Sequence, residues 1–94
     1  MIDEIYDELC EMRLCDSGNH FSLRWLRMNE AYYRTLKAKD LRPSVKVIAR
    51  CGNSLRDFGQ QLADSEFDVI RSKGQRLNEL AQLCFKEAIK QSVN

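Results

Sequence analysis

The sequence predicts an all-α fold, a small bundle of about five helices with a long C-terminal helix. Three observations lead there. Apolar residues recur at intervals of three and four along most of the chain. One proline and four glycines in 94 residues leave few turns. β-Branched residues are sparse and never alternate over a run.

The first helix covers residues 2–13, with Ile2, Ile5, Tyr6, Leu9 and Met12 on one face. Asp3, Glu4 and Asp7 lie in its first turns, where carboxylates suit the positive end of the helix dipole. Cys15 to Asn19 is a turn cluster, and Ser17 or Asn19 caps the next helix. That helix is short, roughly His20 to Leu26. Its Phe21 and Trp25 face the core, and Ser22 is small enough to admit a second helix closely. Arg27-Met28-Asn29 is a turn, and Asn29 caps a third helix from Glu30 to about Ala38, with Tyr33 and Leu36 inward.

Lys39 to Pro43 breaks the pattern, because proline suits a helix start and not its interior. The fourth helix then carries Val45, Ile48, Cys51, Leu55, Phe58 and Leu62 on one stripe. Ser44 caps it, and Gly59 marks an end or a kink. Ser65 to Asp68 resembles a capping box. From about Glu66 to Lys90 the last helix shows Phe67, Ile70, Gly74, Leu77, Ala81, Cys84 and Ala88 at alternating intervals of three and four. This heptad seam reads either as packing within the bundle or as a dimer interface through Phe67, Ile70, Leu77, Ala81, Cys84 and Ala88. At about 1.5 Å per residue the helix reaches some 36 Å, longer than the others.

Charge is the most informative feature. The net charge is +1, but it is unevenly spread. Residues 1–21 hold six acidic residues against Arg13 alone. Residues 22–56 hold nine basic residues against Glu30 and Asp40. A basic middle between acidic flanks suggests an anionic partner for the middle.

Other classes are disfavoured. The size excludes a two-domain enzyme. No apolar stretch spans a bilayer, so no membrane partner is expected. The acidic start lacks the pattern of a secretory signal, which suggests a cytoplasmic protein. Cys10, Cys15, Cys51 and Cys84 form no C-x-x-C pair. Cys10, Cys15 and His20 match no common zinc spacing. There is no glycine-rich phosphate loop or nucleophile elbow. Neither an enzyme, nor a cofactor, nor a bound metal, nor a small-molecule substrate is expected.

Phe21 to Leu55 carries a further pattern. Phe21-Ser22 is a hydrophobic–small pair, Trp25 or Leu26 precedes a turn, Tyr33 and Leu36 point inward, and Pro43-Ser44 opens the next helix. This stretch resembles the helix-turn-helix of the lambda-repressor/Cro-like DNA-binding family. It departs from the family in its turn, where a glycine is usual and Arg27 or Met28 stands here. Residues 63–94 have no counterpart in the family's basic module. The resemblance implies a helix-turn-helix domain over 1–62, followed by a C-terminal helix over 63–94 that packs on it or dimerises.

It also implies sequence-specific binding of double-stranded DNA by a small transcriptional regulator, often a homodimer. The third helix would enter the major groove. Asn29, Glu30, Ala31, Arg34 and Thr35 would meet base edges, and Arg24, Arg27, Tyr32, Lys37, Lys39 and Arg42 the phosphates. Neutralising six phosphates would give a log–log salt slope of about −5. The alternative is a protein-interaction module on the same scaffold, binding another regulator or an enzyme without touching DNA.

Overall fold

The computed structural model describes residues 1–93. Among these the chain is all-α, with five helical segments and no strand. They are α1 (Ile2–Glu11), α2 (Gly18–His20, continued by a π-helical turn Phe21–Trp25), α3 (Tyr32–Ala38), α4 (Val45–Ala63) and α5 (Asp68–Ser92). No described helix is long and apolar enough to cross a membrane.

The core follows the predicted stripes. Ile2, Ile5 and Leu9 of α1, Phe21 and Trp25 of α2, and Val47, Ile48, Cys51 and Leu55 of α4 are buried together with Leu77, Leu80, Ala81, Cys84 and Ala88 of α5. Tyr6, Phe21 and Tyr33 form an aromatic cluster with centroids 4.9–5.2 Å apart, tying α1, α2 and α3 together. Trp25 meets Phe58 of α4 edge-on at 5.4 Å.

α4 and α5 form an antiparallel pair whose contact depends on glycine. A Cβ on Gly74 would lie 2.5 Å from the Ala63 nitrogen and 2.7 Å from the Gly59 oxygen. Gly59 is therefore neither an end nor a kink. It sits mid-helix, where the backbones nearly touch. The heptad seam is corrected here too. Leu77, Ala81, Cys84 and Ala88 are buried inside the single chain, so they offer no surface to a second copy. The narrow seam exists because α4 needs it. Phe67 and Ile70 remain exposed, at 66% and 38%.

The first three helices end by a device with no glycine in it. Arg13, Arg27 and Asp40 adopt left-handed backbone, with φ of 61°, 56° and 51°. After α1 the Arg13 amide donates to the Cys10 carbonyl and the Leu14 amide to Leu9. After α3 the Asp40 amide donates to Lys37 and the Leu41 amide to Leu36. Both are Schellman closures, with a charged residue where glycine is usual. After the π-helical turn the closure is one residue wider, the Met28 amide donating to Ser22. The first helix consequently stops at Glu11, short of the predicted residue 13.

A left-handed arginine is strained relative to glycine. Arg27→Gly loses an exposed ion pair to Asp57 at 3.5 Å, which is worth little. Net stabilisation of about 0.5–1 kcal/mol is expected, visible as a thermal midpoint raised by a few degrees. A lowered midpoint would show that Arg27 is held by more than its backbone.

The caps divide. Ser17 Oγ accepts from the His20 amide at 3.1 Å, and Ser44 Oγ from the Val47 amide at 3.3 Å, both as predicted. Asn29 Oδ1 accepts from the Ala31 amide at 3.0 Å, so it shapes the turn, and α3 begins at Tyr32. The Ser65–Asp68 capping box is absent. Ser65 Oγ instead receives the Phe67 amide, and Asp68 pairs with Arg71.

Candidate functional site

α3 is short, and two bonds to distant residues fix its orientation. Ser22 Oγ accepts from the Tyr33 amide at 2.9 Å and donates to the Gly18 carbonyl at 2.9 Å. Ser22 is fully buried. A single hydroxyl thus caps α3 from α2. At the other edge the Tyr33 hydroxyl donates to Asp3 Oδ1 at 2.6 Å, and Lys37 Nζ lies 3.1 Å from Asp3 Oδ2. The Tyr33 hydrogen bond holds the Asp3 carboxyl below its usual range; burial opposes this, and Lys37 reinforces it. Burial, with Asp3 adding, pushes the Tyr33 phenol well up.

The acidic first helix is therefore partly internal. Asp3 anchors α3, and Glu8 makes a two-pronged contact with Arg76 of α5 at 2.6 and 2.8 Å. That contact holds the Glu8 carboxyl below the usual range.

With Tyr33 and Leu36 buried, the outer face of α3 presents Arg34 and Thr35, with Asn29 and Glu30 exposed just before it. Ala31 is half-buried at the start. Lys39 and Arg42 follow, both exposed. Arg34, Lys39 and Arg42 make no ion pair among the described residues. Between positions 31 and 46 there are five basic residues against Asp40 alone.

Three expected phosphate contacts are placed otherwise. Tyr32 is half-buried against the core. Burial pushes its phenol up, and the Ser44 backbone amide lies near enough to offset part of the rise. Lys37 is tied to Asp3. Arg27 pairs with Asp57. Arg24 and Arg27 line a cavity of about 550 Å³ with Arg13, His20 and Trp25. Lys37 and Arg42 line a smaller hollow of about 240 Å³ beside Asp3 and Pro43. The two share no residue, so Arg24 and Arg27 line one hollow and Lys37 and Arg42 another. The larger cavity was not anticipated from sequence, since its walls come from three separate segments.

The cysteines offer no reactive thiol at α3. Cys15 is buried, and burial pushes its thiol up to about 11 although the Ser17 backbone opposes this. Cys51 and Cys84 face each other inside the α4–α5 contact. The hydrogen bond to Cys84 and burial raise the Cys51 thiol. No cluster of three or more potential metal ligands occurs among the described residues.

Compared with curated proteins and with solved structures, the chain matches none. A family model covers residues 2–94, and on that match the chain belongs to a family of unknown function, DUF6626.

Proposed function

We propose that this chain binds duplex DNA through α3 as a small sequence-specific regulator. One observation carries the reading. A short helix, packed by Tyr33 and Leu36 and capped by Ser22, leaves a polar outer face on which Arg34, with Lys39 and Arg42 just beyond it, has no ion-pair partner among the described residues. Arg34 and Thr35 are suited to base edges in the major groove, as is the free amide nitrogen of Asn29. Lys39 and Arg42 are suited to the flanking phosphates. The left-handed residue at Arg27 supports the resemblance to the lambda-repressor/Cro-like turn, since it supplies the conformation for which that family uses glycine.

At α3 the unpaired cations are three, Arg34, Lys39 and Arg42, and the expected log–log salt slope is about −3 instead of −5. Fluorescence anisotropy with a labelled pool of random duplexes tests this. Raising salt fourfold, from about 50 to 200 mM, should weaken binding about 60-fold. The double variant Arg34→Ala/Lys39→Ala should weaken it at least about 10-fold with an unchanged circular dichroism spectrum. Absence of binding at the lower salt, or a variant that binds like the parent, overturns the reading.

The second reading is partner docking without DNA. Phe67, Val69 and Ile70, exposed together where α5 begins, favour it. Phe67 and Ile70 are also what remains of the expected dimer surface.

A further inference from the structure

The cavity between the end of α1, the π-helical turn and α4 is built unlike a passive surface dent. Its volume is about 550 Å³, within the range of small-molecule sites. One part of the lining is apolar: Leu14, Leu23, Trp25 and Phe58. The other is cationic: Arg13, Arg24 and Arg27. Only Arg27 has a carboxylate partner, Asp57; Arg13 and Arg24 have none among the described residues. Like charges gathered without counter-charge repel, and a bound anion relieves that repulsion.

A second, independent observation lies in the wall. Trp25 is only 3% exposed, and its Nε1–H is buried with no acceptor among the described residues. A buried N–H without a partner is costly and uncommon. The Trp25 side chain is itself part of the wall, beside Arg13, Arg24 and Arg27. The wall also contains the π-helical turn and two left-handed arginines, local irregularities of the kind that gather at ligand sites.

We propose that this cavity binds a small organic carboxylate with an apolar body. The carboxylate engages the Arg13 and Arg24 guanidiniums, and the body lies against Leu14, Leu23, Trp25 and Phe58. An inorganic anion would leave the apolar wall unfilled; a neutral apolar molecule would leave the guanidiniums unanswered. The site shares no residue with the face of α3, so it stands or falls independently of DNA binding.

Trp25 is the only tryptophan in the chain, so its indole N–H gives one resonance in a ¹⁵N-correlated spectrum of the full-length protein. The probes are 3-phenylpropanoate, its neutral counterpart 3-phenylpropanol, and acetate. Phenylpropanoate, lying against the Trp25 ring, should move the indole peak and saturate with a Kd of roughly 1 mM or tighter. Phenylpropanol and acetate should bind at least about 10-fold more weakly, because each lacks one half of the recognition. Arg24→Gln should weaken phenylpropanoate about 10-fold while the rest of the spectrum is kept, since Arg24 is exposed and unpaired. Arg13→Gln is the second variant. An indole peak that does not move with phenylpropanoate, equal responses to the acid and the alcohol, or full affinity in both variants overturns the proposal. So does displacement of phenylpropanoate by duplex DNA, which would make these arginines part of a nucleic-acid surface.

Discussion

Gly74→Ala is expected to destabilise the protein by about 2–3 kcal/mol, lowering the thermal midpoint by 10 °C or more. The usual effect of this exchange inside a helix is the opposite, a gain of up to about 1 kcal/mol. What reverses the sign is the crossing of α4 and α5. The new methyl would meet the Ala63 nitrogen at 2.5 Å, the Gly59 oxygen at 2.7 Å and the Leu62 carbonyl carbon at 2.9 Å. All three are backbone atoms, so no side chain can turn aside and the helices must part. Parting them loosens Leu77, Cys84 and Leu55, each almost wholly buried. Gly52→Ala is the matched comparison. Its methyl would meet the edge of the half-buried Phe85 ring at 2.7 Å and the Cys84 Cβ at 3.1 Å. A ring can swing, so the loss there should be under half as large. Equal midpoints for the parent and Gly74→Ala would mean that the two helices do not cross this closely.

Ser22→Ala is expected to cost about 1–3 kcal/mol, close to 10 °C in midpoint. The hydroxyl is small, but two groups depend on it. Its loss leaves the Tyr33 amide buried with no acceptor and the Gly18 carbonyl with one donor fewer. Because α3 has only seven residues, it does not hold its own first turn without that bond. The damage should therefore be local as well as global. Amide exchange at Tyr33 should accelerate far more than at Leu55 or Leu77, and DNA affinity should fall although no residue of the outer face has changed. Uniform acceleration across the core would mean that Ser22 acts as filler and not as a cap.

The sequence made the long helices legible and the short ones less so, for a physical reason. α4 and α5 each bury one stripe against the same neighbour over many turns, so periodicity alone locates them. Ser17 and Ser44 cap within three residues of themselves, so their roles are local and readable. The ends of α1, α2 and α3 are not local. Arg13, Arg27 and Asp40 are ordinary polar residues in sequence, and only the closing hydrogen bonds force them into left-handed backbone. Gly59 misled in the opposite direction. No glycine adopts positive φ; Gly59 and Gly74 serve close approach instead.

The candidate site divides in the same way. The inward Tyr33 and Leu36 and the outward Arg34 and Thr35 follow from helical spacing. That Lys37 is held by Asp3, thirty-four positions earlier, does not. Nor does the division of Arg24 and Arg27 from Lys37 and Arg42 between two hollows, since charge counting along the chain carries no direction in space.

The most direct test of duplex binding by α3 is a chemical-shift map of the ¹⁵N-labelled protein titrated with unlabelled duplex at low salt. The largest changes are expected at Asn29, Glu30, Arg34, Thr35, Lys39 and Arg42, with the backs of α4 and α5 unmoved. A map centred instead on Phe67, Val69 and Ile70, or a spectrum that duplex leaves unchanged, would contradict it.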